Sequence, residues 1–183
     1  AVDSPRAMFR YLDCLKAMGF DKFLHDYFGE RVAISAKKAT LRRTPPSVTA
    51  GWHQDGPLFP REVRALNLWA AFSHCGVDAP SIDMFAKRFN YTVSQVAADA
   101  ANVDAVGNDL AAQHRLEHND IIARYGLEHI VRPVFEPGDA FLFDEMAFHQ
   151  TGVDTSMTKT RYAVEMWFFA ASMFPLSQVP LHL

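Results

Sequence analysis

The chain of 183 residues is 49% hydrophobic and 21% charged, an ordinary globular balance with enough length for one domain and a substantial core. Its net charge of -3 offers no basic stripe for nucleic acid, and no apolar run reaches the length of a membrane span. Cys14 and Cys75 are too few for a disulfide framework and have no zinc-like spacing; with no secretory signal visible, a reducing cytoplasm is the expected location.

Ser4-Pro5 predicts a helix start, Ser as N-cap and Pro at the first helical position. Met8, Leu12, Leu15 and Met18 then recur at the spacing of one helical face, and Gly19 is the expected stop. DKFLHDYFG predicts a second short helix ending near Gly29. RVAISAKKATLRRT turns β-like, with Lys38, Thr40 and Arg42 on one face of a strand and Ala39, Leu41 and Arg43 on the other, until Pro45-Pro46 ends it. VRALNLWAAFSH is an extended run in which Asn67, Trp69 and Ala71 alternate with Leu66, Leu68, Ala70 and Phe72, and SIDMFAKRF is a further strand candidate. Residues 90–127 read as a helical excursion or lid, ending in a helix HNDIIARYG capped by Asn119 or Asp120 and stopped by Gly126. β-character returns from His129 onward, turns at Glu136-Pro137-Gly138-Asp139, and ends in the strand RYAVEMWFFA. Helices first and strands after predict a mainly β, α+β domain over residues 1–183: an antiparallel sandwich or barrel, core 35–170, with helices packed outside.

The stretch GWHQDGP places His53 and Asp55 two apart, on one face if the segment is a strand. By itself His-x-Asp is a weak signal, more often a surface or structural pair. His149, in DEMAFHQTG, supplies a third ligand type, and distant strands of a jelly roll lie side by side. Two imidazoles and one carboxylate form the facial set that holds non-haem Fe(II) and leaves positions open for a chelating cosubstrate and O2. Arg161 opens the last strand; facing inward it would need an anion, and its planar fork suits a carboxylate. Thr151 shares the face of His149 and offers a hydroxyl.

WHQD, LNLWAAF, EPGDAFLFDEMAFHQTG and the Arg that opens RYAVEMWFF, in that order, resemble the phytanoyl-CoA dioxygenase family. The resemblance implies a double-stranded β-helix, a cupin-like jelly roll, that binds Fe(II) through His53, Asp55 and His149 and uses 2-oxoglutarate as cosubstrate. It also implies that Arg161 and Thr151 hold the distal carboxylate, with Trp69, Asn67 and Thr40 lining the cosubstrate pocket. The implied reaction uses O2, releases succinate and CO2 and hydroxylates a C–H bond of a small molecule. Asp55 stands where halogenating relatives carry a small residue. The family usually has a strand region ahead of its first helices, and a chain opening Ala1-Val2-Asp3 without Met leads to the expectation that upstream residues are missing. Two further departures are Val77-Asp78-Ala79-Pro80, where a small-residue turn is usual, and Asp154, where Asn is common.

Plainer readings stand beside these. His149 alone reads as a half-buried structural histidine, Arg161 alone as a strand-edge residue, and Trp69 as core. Lys38 and Arg42 are candidate substrate contacts, with a solvated strand face as the plainer alternative. His114, His118 and His129 are not expected to bind iron, His74 and Cys75 lack partners at useful spacing, and Gln54 is given no catalytic role. A cupin-like metal-binding protein without oxygenase activity, or a metal-dependent isomerase or hydrolase on the same barrel, stays open; neither needs a buried Arg161. Substrate identity and oligomeric state are not readable.

Overall fold

A computed structural model describes residues 4–93, 116 and 118–182. Helices α1 (Pro5–Ala17) and α2 (Phe20–Phe28) come first, followed by strands β1 (Val32–Ser35), β2 (Thr40–Thr44), β3 (Ala65–Ala71) and β4 (Ser81–Phe85). Helix α3 (His118–Tyr125) precedes β5 (Ile130–Val131), β6 (Ala140–Asp144), β7 (His149–Gly152), β8 (Arg161–Ala170) and β9 (Pro180–His182). Residues 94–115 and 117, most of the expected helical excursion, lie outside the described residues.

The strands form two antiparallel sheets. In the larger, β8 is central: β3 runs along one side and carries β6 beyond it, while β2 and β1 share the other side and β9 pairs with β1. The smaller sheet is β5-β4-β7. This is a jelly roll, the expected class.

Period-2 alternation along β3 and β8 sorts side chains between two layers. Leu66, Leu68, Val164, Met166 and Phe168 face outward and pack under Met8, Leu12, Leu15 and Leu24 of the first two helices. Trp69, Ala71 and Ala163 face inward, against Ile82 and Met84 of the smaller sheet. A third cluster, Trp52, Phe85, Phe148 and Ile121, packs α3 on the far side of the smaller sheet. Helices thus cover both outer faces, and between the sheets the inward apolar layer borders a cleft that also carries polar residues.

Local details differ from the sequence expectations. Met18 is 72% exposed, because α1 ends at Ala17 and Gly19 turns left-handed (φ 74), carrying Met18 off the buried face. Ser4 stands at the N-cap without a side-chain capping bond; Pro5 alone marks the start. Helix α3 begins at His118, so Asn119 and Asp120 sit in its first turn rather than capping it. The stretch read as one strand through Lys38 is two strands broken by a 3-10 turn, Ala36–Lys38, because the Ser35 hydroxyl accepts the Lys38 amide and offers the backbone a local partner in place of the ladder.

Candidate metal centre

His53 and Asp55 do not sit on a regular strand. His53 pairs with His149 in an isolated antiparallel bridge, each amide donating to the other's carbonyl (2.9 and 3.0 Å). The chain then leaves the sheet: Asp55 takes helical angles and starts a 3-10 turn, Gly56–Leu58. Its carboxylate makes no capping bond within that turn. Gly56 is needed for close approach, since a Cβ there would lie 2.9 Å from Met146 Sδ and 3.3 Å from the Glu145 carbonyl. The turn therefore reaches the same result as a strand by another route.

His53, Asp55 and His149 each offer a ligand atom within 4.8 Å of the others, and they are the sole such group among the described residues. Asp55 and His149 are buried, and the rings of His53 and His149 lie 4.3 Å apart. The hydrogen bonds fix the imidazole tautomers. His53 Nδ1 contacts the Gly51 carbonyl at 2.7 Å and His149 Nδ1 the Ala147 carbonyl at 3.0 Å. A carbonyl only accepts, so both Nδ1 atoms carry a proton, and Nε2 is the ring atom each histidine could turn to a cation. Asn67 Nδ2 donates to Asp55 Oδ2 (3.4 Å), while His53 Nε2 stands 3.9 Å from Asp55 Oδ1. A buried carboxylate and two imidazoles gathered this closely form a donor set that fits a divalent metal with open positions.

The three residues line a cleft of about 320 Å3 between the sheets, together with Asn67, Trp69, Thr151, Arg161, Glu165, Trp167, Lys38 and Arg42. Thr40, the remaining expected pocket residue, is not among its lining; it pairs with Glu165 across β2 and β8, its hydroxyl buried without a partner. A larger cavity of about 670 Å3 borders the same turn through Gly56 and Pro57 but contains no member of the triad. Two of its arginines are already paired, Arg64 with Glu145 and Arg88 with Asp144, so the smaller cleft is where the chemistry collects.

Arg161 is 6% exposed and pairs with no carboxylate among the described residues. Nη1 donates to the Ser81 carbonyl (2.6 Å), Nη2 to Thr44 Oγ1 (2.9 Å), and Nε has no partner among the described residues. Its guanidinium lies 5.2 Å from the Trp69 ring centre. Burial pulls it down to about 10, still charged at neutral pH. The Thr151 hydroxyl accepts the Ala50 amide (3.2 Å), leaving its own hydrogen to donate. Cys75 is buried, burial pushes its thiol up to about 11, and it joins no candidate metal cluster among the described residues. His74 stands 3.7 Å from Asp78 and 3.6 Å from Glu136 through different ring nitrogens.

Two residues set aside on sequence grounds brace the centre. Gln54, 4% exposed, donates to the Met146 carbonyl (2.9 Å) and the Tyr91 carbonyl (3.2 Å) and accepts the Val93 amide (2.9 Å), pinning the turn between the ligands. His118 Nδ1 accepts from Trp52 Nε1 and Gln150 Nε2, both at 3.1 Å. Trp52 adjoins His53 and Gln150 adjoins His149, so one imidazole ties the two ligand-bearing segments from behind. Gln150 also donates to Asp83, which Arg132 holds at 2.6 Å. For Gln54 the signal in the sequence was its place between His53 and Asp55; for His118 there was none. His118→Ala is expected to lower Mn(II) affinity about 10- to 100-fold, the usual range for supports of metal ligands. His118→Asn, which restores an acceptor, should recover most of it; electron paramagnetic resonance titration of Mn(II) reads both.

No family model matches the sequence, and no curated protein matches it. Solved structures do. EctD from S. alaskensis, with 2-oxoglutarate and 5-hydroxyectoine bound, is similar at TM-score 0.58 and 17% identity over 85% of this chain. The non-heme monooxygenase ThoJ, as its Ni complex, is similar at TM-score 0.57 and 12% identity over 89%. SnoN, a non-heme alpha-ketoglutarate-dependent epimerase from nogalamycin biosynthesis, is similar at TM-score 0.54 and 13% identity over 83%. The chain spans about half the length of these proteins (50%, 55% and 54%). No helix among the described residues is long and apolar enough to cross a membrane. At such identities the likeness speaks for architecture: the chain has the jelly-roll fold of these structures, with His53, Asp55 and His149 gathered in the cleft between its two sheets.

Proposed function

We propose that the protein is an Fe(II)- and 2-oxoglutarate-dependent oxygenase of the phytanoyl-CoA dioxygenase type that hydroxylates a C–H bond of a small molecule, releasing succinate and CO2. The observation that carries this reading is Arg161: a buried cation with no carboxylate partner among the described residues, in the same cleft as a two-histidine, one-carboxylate donor set. A protein that merely stored a metal would gain nothing from that cost. Similar structures bound to 2-oxoglutarate, and an alpha-ketoglutarate-dependent epimerase among them, support the cosubstrate; the epimerase also makes hydroxylation, rather than another oxidation, the part to be tested.

In this reading His53, Asp55 and His149 hold iron, with the Gly51 and Ala147 carbonyls fixing both rings and Asn67 steadying the free carboxylate oxygen. Iron with 2-oxoglutarate supplies the oxidising chemistry when O2 is admitted. Arg161 holds the distal carboxylate, Thr151 donates to it, and Trp69 walls the chain between the charged ends and keeps water out. Fe(II) added without oxygen should give a visible charge-transfer band only when 2-oxoglutarate is also present. Iron binding with no such band at saturating 2-oxoglutarate would identify a metal-binding protein without this activity.

A further inference from the structure

The cleft carries one positive charge more than the proposed chemistry uses. With the reading above, a dication, Asp55, Arg161 and a doubly charged cosubstrate cancel. Arg42 Nε and Glu165 Oε2, 2.9 Å apart, cancel each other. Lys38 remains. Among the described residues no carboxylate lies within ion-pair distance of it, although it lines the cleft.

This ammonium is also held in place. The Lys38 amide is bonded to the hydroxyl of buried Ser35 (3.2 Å), which in turn donates to Gln178 (2.6 Å). Nζ rests 4.5 Å from the ring centre of Trp167, itself 2% exposed. Its neighbour Lys37 goes elsewhere, to the Ser177 carbonyl on the surface. Of the four cations in residues 37–43, Lys38 and Arg42 line the cleft, and Arg42 is paired with Glu165. A charge fixed on an aromatic face keeps attraction for an anion that a freely hydrated lysine would lose.

We infer that the substrate carries an oxyanion, carboxylate or phosphate, that docks on Lys38 beside Trp167. The inference rests on the oxygenase reading of the same cleft. A compact ammonium accepts either anion, unlike the fork of Arg161, which is matched to a planar carboxylate. Trp167, a buried wall of the cleft beneath Nζ, fixes where that charge sits.

The test uses the Mn(II)-loaded protein saturated with 2-oxoglutarate and measures paramagnetic relaxation of three small probes: acetate, inorganic phosphate and neutral tert-butanol. Acetate, phosphate or both should relax several-fold faster than tert-butanol. Lys38→Met should remove that excess and Lys38→Arg should keep it. An excess for acetate alone assigns a carboxylate, and for phosphate alone a phosphate. Equal relaxation of charged and neutral probes, or an excess that survives Lys38→Met, overturns the inference. So does Lys38→Met weakening 2-oxoglutarate itself, which would make Lys38 a cosubstrate contact. Mn(II) and 2-oxoglutarate binding are measured separately in the wild type; loss of either there overturns the oxygenase reading, whereas silent probes with both intact overturn only the anion.

Discussion

Replacing His149 by alanine is expected to cut Fe(II) or Mn(II) affinity by more than about a hundredfold and to end 2-oxoglutarate turnover. Substituting a residue that merely supports a ligand costs roughly 10- to 100-fold, and removing a ligand costs more. The loss should be metal-specific. His149 packs its ring at 4.8 Å from Phe143 and 4.3 Å from His53, so alanine also opens a gap between rings. His149→Gln fills that gap while discarding the imidazole. It should melt close to the wild-type apoprotein and still fail to hold Mn(II) in a resonance titration. Wild-type metal affinity in a folded His149→Gln protein would place the centre elsewhere.

Arg161→Ala is expected to weaken 2-oxoglutarate about a hundredfold or more while leaving metal affinity near wild type. The contact is a two-point, charge-assisted one worth on the order of 3 kcal/mol, and each ~1.4 kcal/mol is tenfold. The measurement is the 2-oxoglutarate concentration that half-develops the visible band with anaerobic Fe(II). Alanine also strips a donor from the Ser81 carbonyl and from Thr44, so some stability is lost with it. Arg161→Lys separates the effects, because it keeps the charge but lacks the fork. An intermediate affinity is expected there. Unchanged 2-oxoglutarate binding in the alanine variant would remove Arg161 from this role.

Much of this site was legible in the sequence because strands write their facing into alternate residues. Asn67 and Trp69 reach the cleft and Leu66 and Leu68 reach the helices, as period 2 requires. The candidate donor set was legible from its order along the chain. What could not be read was anything set by contacts between distant segments. His118 gained its place from two donors, in the segments bearing His53 and His149, that no spacing rule connects to it. Gln54 read as a bystander because its partners, Met146, Tyr91 and Val93, are far along the chain. Lys38 was assigned to a strand because β-like composition hid a hydroxyl three residues earlier that bends the backbone. Thr40, near in sequence to cleft residues, stayed outside the lining.

The alternation along β3 and β8 ties folding and chemistry to one parity. Inserting or deleting a single residue within either strand would send Asn67 and Trp69, or Arg161 and Glu165, to the lipophilic underside of the helices and deliver leucine and valine to the cleft. A one-residue change in these strands must therefore be absorbed by a bulge or it inverts the cleft, whereas exchanging side chains or growth in the connections reshapes it without that cost.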